Sequence, residues 1–170
     1  MKPYRERVEV FALDPQGKVF GAHFPEGPFG AYGGGVDPGE TAEAAAAREF
    51  EEETGHRVDD VWLLPIPPHV VDWDPADTTG SPEQRQRRKD FRGTRTVYAG
   101  GTFVPGTGKP ADPQKGRPVG SFHTLADAIA TAAPGGVPAG LAAANAARWR
   151  ALIYLRDGGL SRLLTAQPDE

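Results

Sequence analysis

The stretch that decides the fold runs from Gly34 to Gly55 and reads GGVDPGETAEAAAAREFEEETG. Its alanine-rich centre predicts a helix over 41–54, which Thr41 caps at the start and Gly55 ends. Four glutamates lie in the last turns of that helix: Glu49 and Glu51 to Glu53. Anions are disfavoured at a helix C-terminus, and glutamates three or four residues apart repel one another. The sequence therefore places its densest negative charge where a helix tolerates it worst.

Three of these glutamates share one face of the predicted helix. Glu49, Glu52 and Glu53 are spaced by three and four residues, whereas Glu51 points away to solvent. A solvated acidic face is the ordinary explanation of such a run. A hard divalent cation would remove both charge penalties, because Mg²⁺ and Mn²⁺ prefer carboxylate oxygens and bridge them to phosphates. The glycines at Gly33–Gly35 strengthen this interpretation, since a backbone without side chains can approach a metal or a phosphate closely.

Composition predicts one soluble domain over residues 1–170, with a disordered tail from about residue 158. The chain has 170 residues, of which 38% are apolar and 25% charged, and its net charge is -4. A protein that binds duplex nucleic acid usually carries an excess of basic residues, so the net charge disfavours that function. The chain has no cysteine, which excludes a thiol nucleophile and a zinc–thiolate site. The polar segment MKPYRERVEV and the lack of a long apolar run predict a cytoplasmic protein without a membrane partner.

The remaining pattern mixes strands and helices irregularly. Alternating and β-branched segments predict strands at 7–13, 19–24, 58–66, 70–73, 94–104 and 119–122. Further helices are predicted at 125–132 and 139–156. Segments rich in Gly, Pro and polar residues predict loops at 25–35, 74–89 and 105–118. This order, with its hairpin signals, predicts an α+β (mixed α/β) fold rather than a doubly wound parallel sheet.

The segment from Gly34 to His56 resembles the signature of the Nudix hydrolases. That signature reads G, five residues, E, seven residues, R-E, an apolar residue, any residue, E-E, any residue, G. Every spacing matches, at Gly34, Glu40, Arg48, Glu49, Phe50, Glu52, Glu53 and Gly55. Two departures are mild, because His56 stands where an apolar residue is usual and Tyr32 where many members have proline.

The resemblance implies an α/β/α sandwich and a hydrolase that cleaves the diphosphate bond of a nucleoside diphosphate linked to another group. It implies Mg²⁺ or Mn²⁺ as cofactor, with four ligands: Glu49, Glu52, Glu53 and the backbone carbonyl of Gly33. Arg48 would orient these ligands, with a salt bridge to Glu40 as a hypothesis. Removing a proton from the attacking water requires a base. Its identity stays open among Glu49, Glu52 and the loop residue Asp112, with Glu83, Asp90, His69 and His123 as further candidates.

The expected partner is a small nucleoside diphosphate derivative, and a nucleotide, a nucleotide sugar and a dinucleoside polyphosphate all stay open. Gly34 and Gly35 would line the path of its phosphates. The basic run at 83–95, EQRQRRKDFRGTR, predicts a phosphate clamp from some of its arginines: Arg88, Arg92 and Arg95. The alternative is a Nudix-fold nucleotide-binding or regulatory protein without hydrolysis, because no glutamate occurs in the later loop where many members carry the base. A monomer and a homodimer are equally open.

Overall fold

A mixed β-sheet forms the centre of the structure. The computed structural model of the chain describes residues 1–23, 29–111, 120–132 and 139–159. Within these ranges the sheet has eight strands: β1 (Tyr4–Leu13), β2 (Val19–His23), β3 (Phe29–Gly30), β4 (Tyr32–Gly35), β5 (Arg57–Leu63), β6 (His69–Asp72), β7 (Gly93–Val104) and β8 (Ser121–His123). The α-helices of the same ranges are α1 (Ala42–Thr54), α2 (Pro82–Asp90), α3 (Leu125–Ala132) and α4 (Ala139–Tyr154), and a π-helical turn at Leu155–Gly159 follows α4.

The two longest strands, β1 and β7, run parallel to each other at the centre of the sheet. Tyr4 lies opposite Gly93 at one end of this pair, and Leu13 lies opposite Thr102 at the other. Strand β4 pairs antiparallel with the middle of β1, from Arg7 to Val10, and β2 pairs antiparallel with its last residues, Ala12 and Leu13. Strands β5 and β6 pair antiparallel with β7. The sheet is therefore mixed, as the sequence predicted.

Helices cover both faces of the sheet. Successive residues of a strand point to opposite faces, and β1 divides its apolar side chains accordingly. Val8 and Val10 pack in one cluster with Phe50 of α1. Phe11 packs in the other cluster, with Leu152 of α4 and residues of α3. This three-layer arrangement confirms the predicted α/β/α sandwich.

Two segments that the sequence predicted as loops contain regular structure. The segment 25–35 was expected to be irregular, but Tyr32–Gly35 forms β4 because its backbone pairs with β1, with Gly35 opposite Arg7. The segment 74–89 contains most of α2. Ser81 starts this helix with a capping box: its Oγ accepts the N–H of Gln84 at 3.2 Å, and the Gln84 side chain accepts the N–H of Ser81 at 2.8 Å.

Other boundaries follow the sequence more closely. The helix at 125–132 is confirmed, while α4 ends at Tyr154, two residues before the predicted end. The predicted strand at 58–66 ends at Leu63, and 69–72 forms a separate strand, β6, on β7. None of the helices in the described ranges combines the length and apolar character that a membrane crossing needs.

Candidate active site

Helix α1 begins and ends where the sequence predicted. The Thr41 hydroxyl accepts the N–H of Ala44 at 3.2 Å, which satisfies a free donor of the first turn. Gly55 ends the helix in the left-handed conformation with φ 69°, and its N–H donates to the Glu51 carbonyl at 2.8 Å. A turn closed by the bond from the Glu40 N–H to the Asp37 carbonyl at 3.0 Å connects β4 to this helix. Since the connection is short, α1 lies directly over β4.

Glu49 is buried against the glycine strand. Only 9% of the residue is exposed, and its carboxylate lies over Gly34. A Cβ atom at position 34 would lie 2.1 Å from the Glu49 Cδ and 2.3 Å from each carboxylate oxygen. Any side chain there would displace Glu49. Glycine at this position is therefore required by the close approach of the carboxylate.

Glu53 contacts the same strand from the next turn of α1, and Glu52 precedes it on that turn. The Gly33 N–H donates to a Glu53 carboxylate oxygen at 3.1 Å. Gly33 has φ 153°, and a Cβ atom on it would lie 2.0 Å from the Val8 carbonyl oxygen, so this position also requires glycine. Glu52 is half-buried, whereas Glu51 is exposed, as expected from its place on the helix. The structure thus brings Glu49, Glu52 and Glu53 together along one face.

Arg48 connects the glutamate face to the turn before the helix. Its Nε and Nη2 donate to the two carboxylate oxygens of Glu40, both at 2.9 Å, so the predicted Arg48–Glu40 salt bridge is present. Its Nη1 donates to Glu49 at 2.9 Å and lies 3.7 Å from a Glu52 oxygen, and its Nη2 also donates to the Gly35 carbonyl at 3.0 Å. One guanidinium therefore bonds to the last residue of β4, to the turn that follows it and to the first glutamate of the face.

This network shifts the proton affinities of its members. The hydrogen bonds from Arg48, followed by the bond from the Asp37 N–H, lower the pKa of Glu40 from 4.5 to about 2. The same bonds to Glu40 are the main reason why the pKa of Arg48 is raised, and those to Glu49 add to it. Both side chains therefore stay charged at every physiological pH, which keeps the connection between the turn and α1 intact.

The glutamate face fits an open cation site rather than a closed cage. Among the described residues, no group of three or more acidic or histidine side chains converges enough to enclose a metal. The cause is visible in the contacts, since Arg48 lies between Glu49 and Glu52, and the Gly33 N–H engages Glu53. Mg²⁺ usually takes only one or two carboxylates and completes its shell with water and substrate phosphates. Carboxylates beside a glycine backbone supply the hard oxygen donors that such an ion needs.

The other base candidates have different surroundings. Asp112 lies outside the described residues. Glu83 accepts the Ser81 hydroxyl at 3.0 Å, and Asp90 accepts the Gln86 side chain at 3.1 Å, so both belong to the hydrogen-bonding of α2 and its cap. Burial lowers the pKa of the half-buried His69. His123 lies 2.9 Å from the Ser121 hydroxyl on β8.

The three arginines of the predicted clamp are all in ion pairs. Arg88 pairs with Asp77 at 2.9 Å. Arg92 pairs with Asp72 at 3.0 Å and lies 4.5 Å above the centre of the Tyr4 ring. Arg95 pairs with Glu6 at 3.0 Å. Arg88 also lines a pocket. The clamp role of all three arginines stays a prediction.

That pocket contains arginines that the sequence analysis did not select. It has a volume of about 210 Å³ and is lined by Arg5, Arg7, Trp73, Gln84, Arg87 and Arg88. Two signals could have revealed it. The capping box at 81–84 predicts α2, which would place its lining residues on one helical face. Extending β1 toward the N-terminus would have placed Arg5 and Arg7 on one side of the strand.

An α/β/α sandwich with a glutamate-rich helix over a glycine strand is the arrangement of the hydrolase class that the signature implied. A family model described as the NUDIX domain matches residues 3–136. The chain therefore belongs to the Nudix family.

Curated relatives match part of the sequence, and solved structures share the fold. The RNA pyrophosphohydrolase of Erythrobacter litoralis is 39% identical over 75 residues, which are 42% of this chain and 46% of that protein. The RNA pyrophosphohydrolase of Dinoroseobacter shibae is 37% identical over 75 residues, 42% of this chain and 47% of that protein. The matches thus span about half the length of these curated relatives. The crystal structure of a MutT Nudix hydrolase from Burkholderia pseudomallei superposes with a TM-score of 0.53 at 22% identity, covering 92% of this chain and 99% of that chain, which supports the fold.

Proposed function

We propose that this protein hydrolyses the diphosphate bond of a nucleoside diphosphate linked to another group, with Mg²⁺ or Mn²⁺ held by the glutamate face. The proposed ligands are Glu49, Glu52, Glu53 and the Gly33 carbonyl. The observation that carries this proposal is the packing of Glu49 over Gly34 with Arg48 bonded to it, since this network holds a carboxylate in place beside the strand.

A divalent cation, when bound, would neutralise the diphosphate, orient its phosphates and lower the pKa of a water molecule. The chain itself supplies the positioning and the base. Arg48 keeps Glu49 against β4, where the absence of a side chain at Gly34 leaves room for the carboxylate. The bidentate bond to Glu40 holds Arg48 in turn.

Glu52 is the best-placed general base of the glutamate face. Within the described residues its carboxylate accepts no hydrogen bond, and its nearest cation is Arg48 Nη1 at 3.7 Å. Its side chain is 43% exposed, so solvent water can reach it. Glu49 is less accessible to water, because it is buried and one of its carboxylate oxygens accepts a bond from Arg48. A carboxylate in the position of Glu52 can accept the proton of the attacking water.

The group linked to the diphosphate is best identified with a panel of substrates. It should contain nucleoside triphosphates, nucleotide sugars such as ADP-ribose and dinucleoside polyphosphates. RNA with a 5′-polyphosphate end belongs in the panel because the matched relatives are named RNA pyrophosphohydrolase. A single-stranded form is the appropriate one, since a net charge of -4 disfavours duplex binding.

The decisive experiment measures phosphate release, coupled to a phosphatase, with Mg²⁺ or Mn²⁺ for wild type, Glu52→Gln and Glu51→Gln. Both variants lose one negative charge from the same turn of α1, but only Glu52 lies on the glutamate face, 3.7 Å from Arg48. We expect metal-dependent turnover in wild type and Glu51→Gln, and a loss of at least about 100-fold in Glu52→Gln. No turnover on any substrate, with nucleotide still bound in calorimetry, would instead establish a non-hydrolytic binding protein.

A further inference from the structure

The arginine-lined pocket lies between the start of β1 and helix α2. Gln84, Arg87 and Arg88 are spaced by three and four residues, so they share one face of α2. Arg5 and Arg7 alternate along β1 and therefore point to the same side of the sheet. Four guanidinium groups thus border about 210 Å³ in a chain whose net charge is -4.

Most of this positive charge has no directly bonded carboxylate. Within the described residues, Arg88 has a carboxylate partner in Asp77 at 2.9 Å, whereas Arg5, Arg7 and Arg87 form neither an ion pair nor a side-chain hydrogen bond. Burial lowers the pKa of Arg5, and the neighbouring charges of Arg87 and Arg7 lower it further, while the charges of Glu49 and Asp37 act in the opposite direction. Like charges held together without partners cost free energy, which a bound anion would recover.

The pocket is adjacent to the glutamate face across the glycine strand. A Cβ atom on Gly35 would lie 2.3 Å from Arg5 Nη2, as one on Gly34 would lie 2.1 Å from the Glu49 Cδ. Because successive residues of a strand point to opposite faces, Arg5 and Glu49 lie against opposite sides of β4. The pocket and the glutamate face are thus separated by one strand, and the charge of Glu49 acts on Arg5 across it.

We propose that the pocket binds the phosphate groups that extend beyond the scissile diphosphate, so that the enzyme prefers nucleotides with three or more phosphates over two-phosphate nucleotide sugars. This preference rests on the proposed hydrolysis. Guanidinium groups match phosphate oxygens with paired, charge-assisted hydrogen bonds. The volume suits phosphate groups better than a whole nucleotide, because pockets for drug-sized ligands begin at about 300 Å³.

The pocket is tested first without catalysis. Inorganic tripolyphosphate is titrated into metal-free protein in the presence of EDTA, for wild type, Arg87→Gln and Lys89→Gln. Both positions are exposed on α2, and only Arg87 lines the pocket. We expect binding to wild type and Lys89→Gln, and binding about tenfold weaker or more in Arg87→Gln, as is typical for one lost charge-assisted bond. Absence of binding to wild type, or equal affinity in the two variants, would overturn the pocket assignment.

Trp73 provides an independent readout, since it lies in the wall of the pocket. Tripolyphosphate should change the tryptophan fluorescence of wild type, and this change should disappear in Trp73→Phe, although Trp62 and Trp149 remain. Arg5→Gln serves as the second variant on the β1 side, with circular dichroism to verify its fold. A fluorescence change that survives in Trp73→Phe would place the anion elsewhere.

Selectivity is tested by comparing kcat/KM for ATP and for ADP-ribose. We expect Arg87→Gln to lower the value for ATP about tenfold or more and to leave that for ADP-ribose near wild type, whereas Lys89→Gln changes neither. An equal loss for both substrates, or no loss for ATP, would refute the preference. If wild type hydrolyses neither these substrates nor any other of the panel, the proposed hydrolysis fails, and the metal-free titration alone decides whether the pocket binds phosphates.

Discussion

Arg48 and Glu40 form a bidentate ion pair, with Nε and Nη2 each 2.9 Å from a carboxylate oxygen. The pair joins the turn after β4 to α1, eight residues further along the chain. Because the third nitrogen of the guanidinium bonds to Glu49, the same arginine offsets the negative charge that the end of the helix disfavours. The accumulation of glutamates on α1 is thus partly compensated by a residue of the same signature.

Loss of the arginine should weaken the metal site without removing a ligand. In Arg48→Gln we expect activity or metal affinity to fall about 10- to 100-fold, the usual effect of losing a group that orients ligands. The measurement is turnover as a function of Mg²⁺ or Mn²⁺ concentration. Arg57→Gln is the control, since Arg57 also pairs with a carboxylate, Asp59 at 3.0 Å, but on the exposed surface. Equal metal dependence in both variants would contradict the orienting role.

A single methyl group at position 34 should displace a proposed metal ligand. In Gly34→Ala the new Cβ atom would overlap the Glu49 carboxylate, with a gap of only 2.1 Å to its Cδ. We expect activity to fall at least about 100-fold, because a misplaced catalytic group costs that much even at small displacements. Gly158→Ala is the matched control, since a Cβ atom there meets nothing within 4 Å. Full activity of Gly34→Ala would show that the position of Glu49 is not needed for catalysis.

Stability should depend on an ion pair on the other face of the sheet. Arg148 of α4 donates to both carboxylate oxygens of Glu9, at 2.7 and 2.6 Å, and the two side chains are only 21% and 13% exposed. Removing Glu9 leaves the charge of Arg148 unpaired at a position that solvent hardly reaches. We expect Glu9→Gln to lower the free energy of unfolding by about 3 kcal/mol, measured by urea denaturation.

Glu6 on the same strand supplies the control for that measurement. It pairs with Arg95, and the side chains of Glu6 and Arg95 are 46% and 42% exposed. Glu6→Gln should therefore cost at most about 1 kcal/mol, as exposed pairs do. Similar losses in the two variants would show that the burial of the Glu9 pair is without consequence.

The Glu40 pair should contribute to acid stability in a defined range of pH. Arg48 first, and then the Asp37 N–H, lower the pKa of Glu40 in the folded protein from 4.5 to about 2. A lowered pKa means that the contribution is complete above pH 4.5 and is lost as pH falls to about 2. Wild type should therefore lose more unfolding free energy than Glu40→Gln across this range, because the other carboxylates titrate in both. A difference between the two proteins that stays constant with pH would refute the shift.

The parts of the site that lie within one helix could be predicted because their geometry is local. The spacing of Glu49, Glu52 and Glu53 determines that they share a face of any α-helix, and Thr41 and Gly55 determine its ends through their own backbone preferences. The signature adds Arg48 and Glu40 as partners of that helix. These predictions are confirmed because no distant residue is needed to satisfy them.

Two loop predictions were wrong for different physical reasons. Glycine has a low intrinsic strand preference, and β4 exists because Gly33–Gly35 pairs with β1 and leaves space for Glu49. Helix α2 has no buried residue, so it has no apolar periodicity to indicate it. Its local signal was the capping box at Ser81 and Gln84, which a polar, turn-rich composition obscured.

The sequence by itself determined the glutamate helix, its caps and its family signature, because each depends on residues a few positions apart. The mixed α/β class followed from the order of elements, and the three-layer arrangement was implied by the resemblance. Only the tertiary structure decided what the helix packs against and which arginines face one another. Arg5 and Arg87 are separated by about half of the chain, and they meet because β1 and α2 are brought to one pocket beside β4. Pairing across such distances depends on the packing of the whole sheet, which no local spacing encodes.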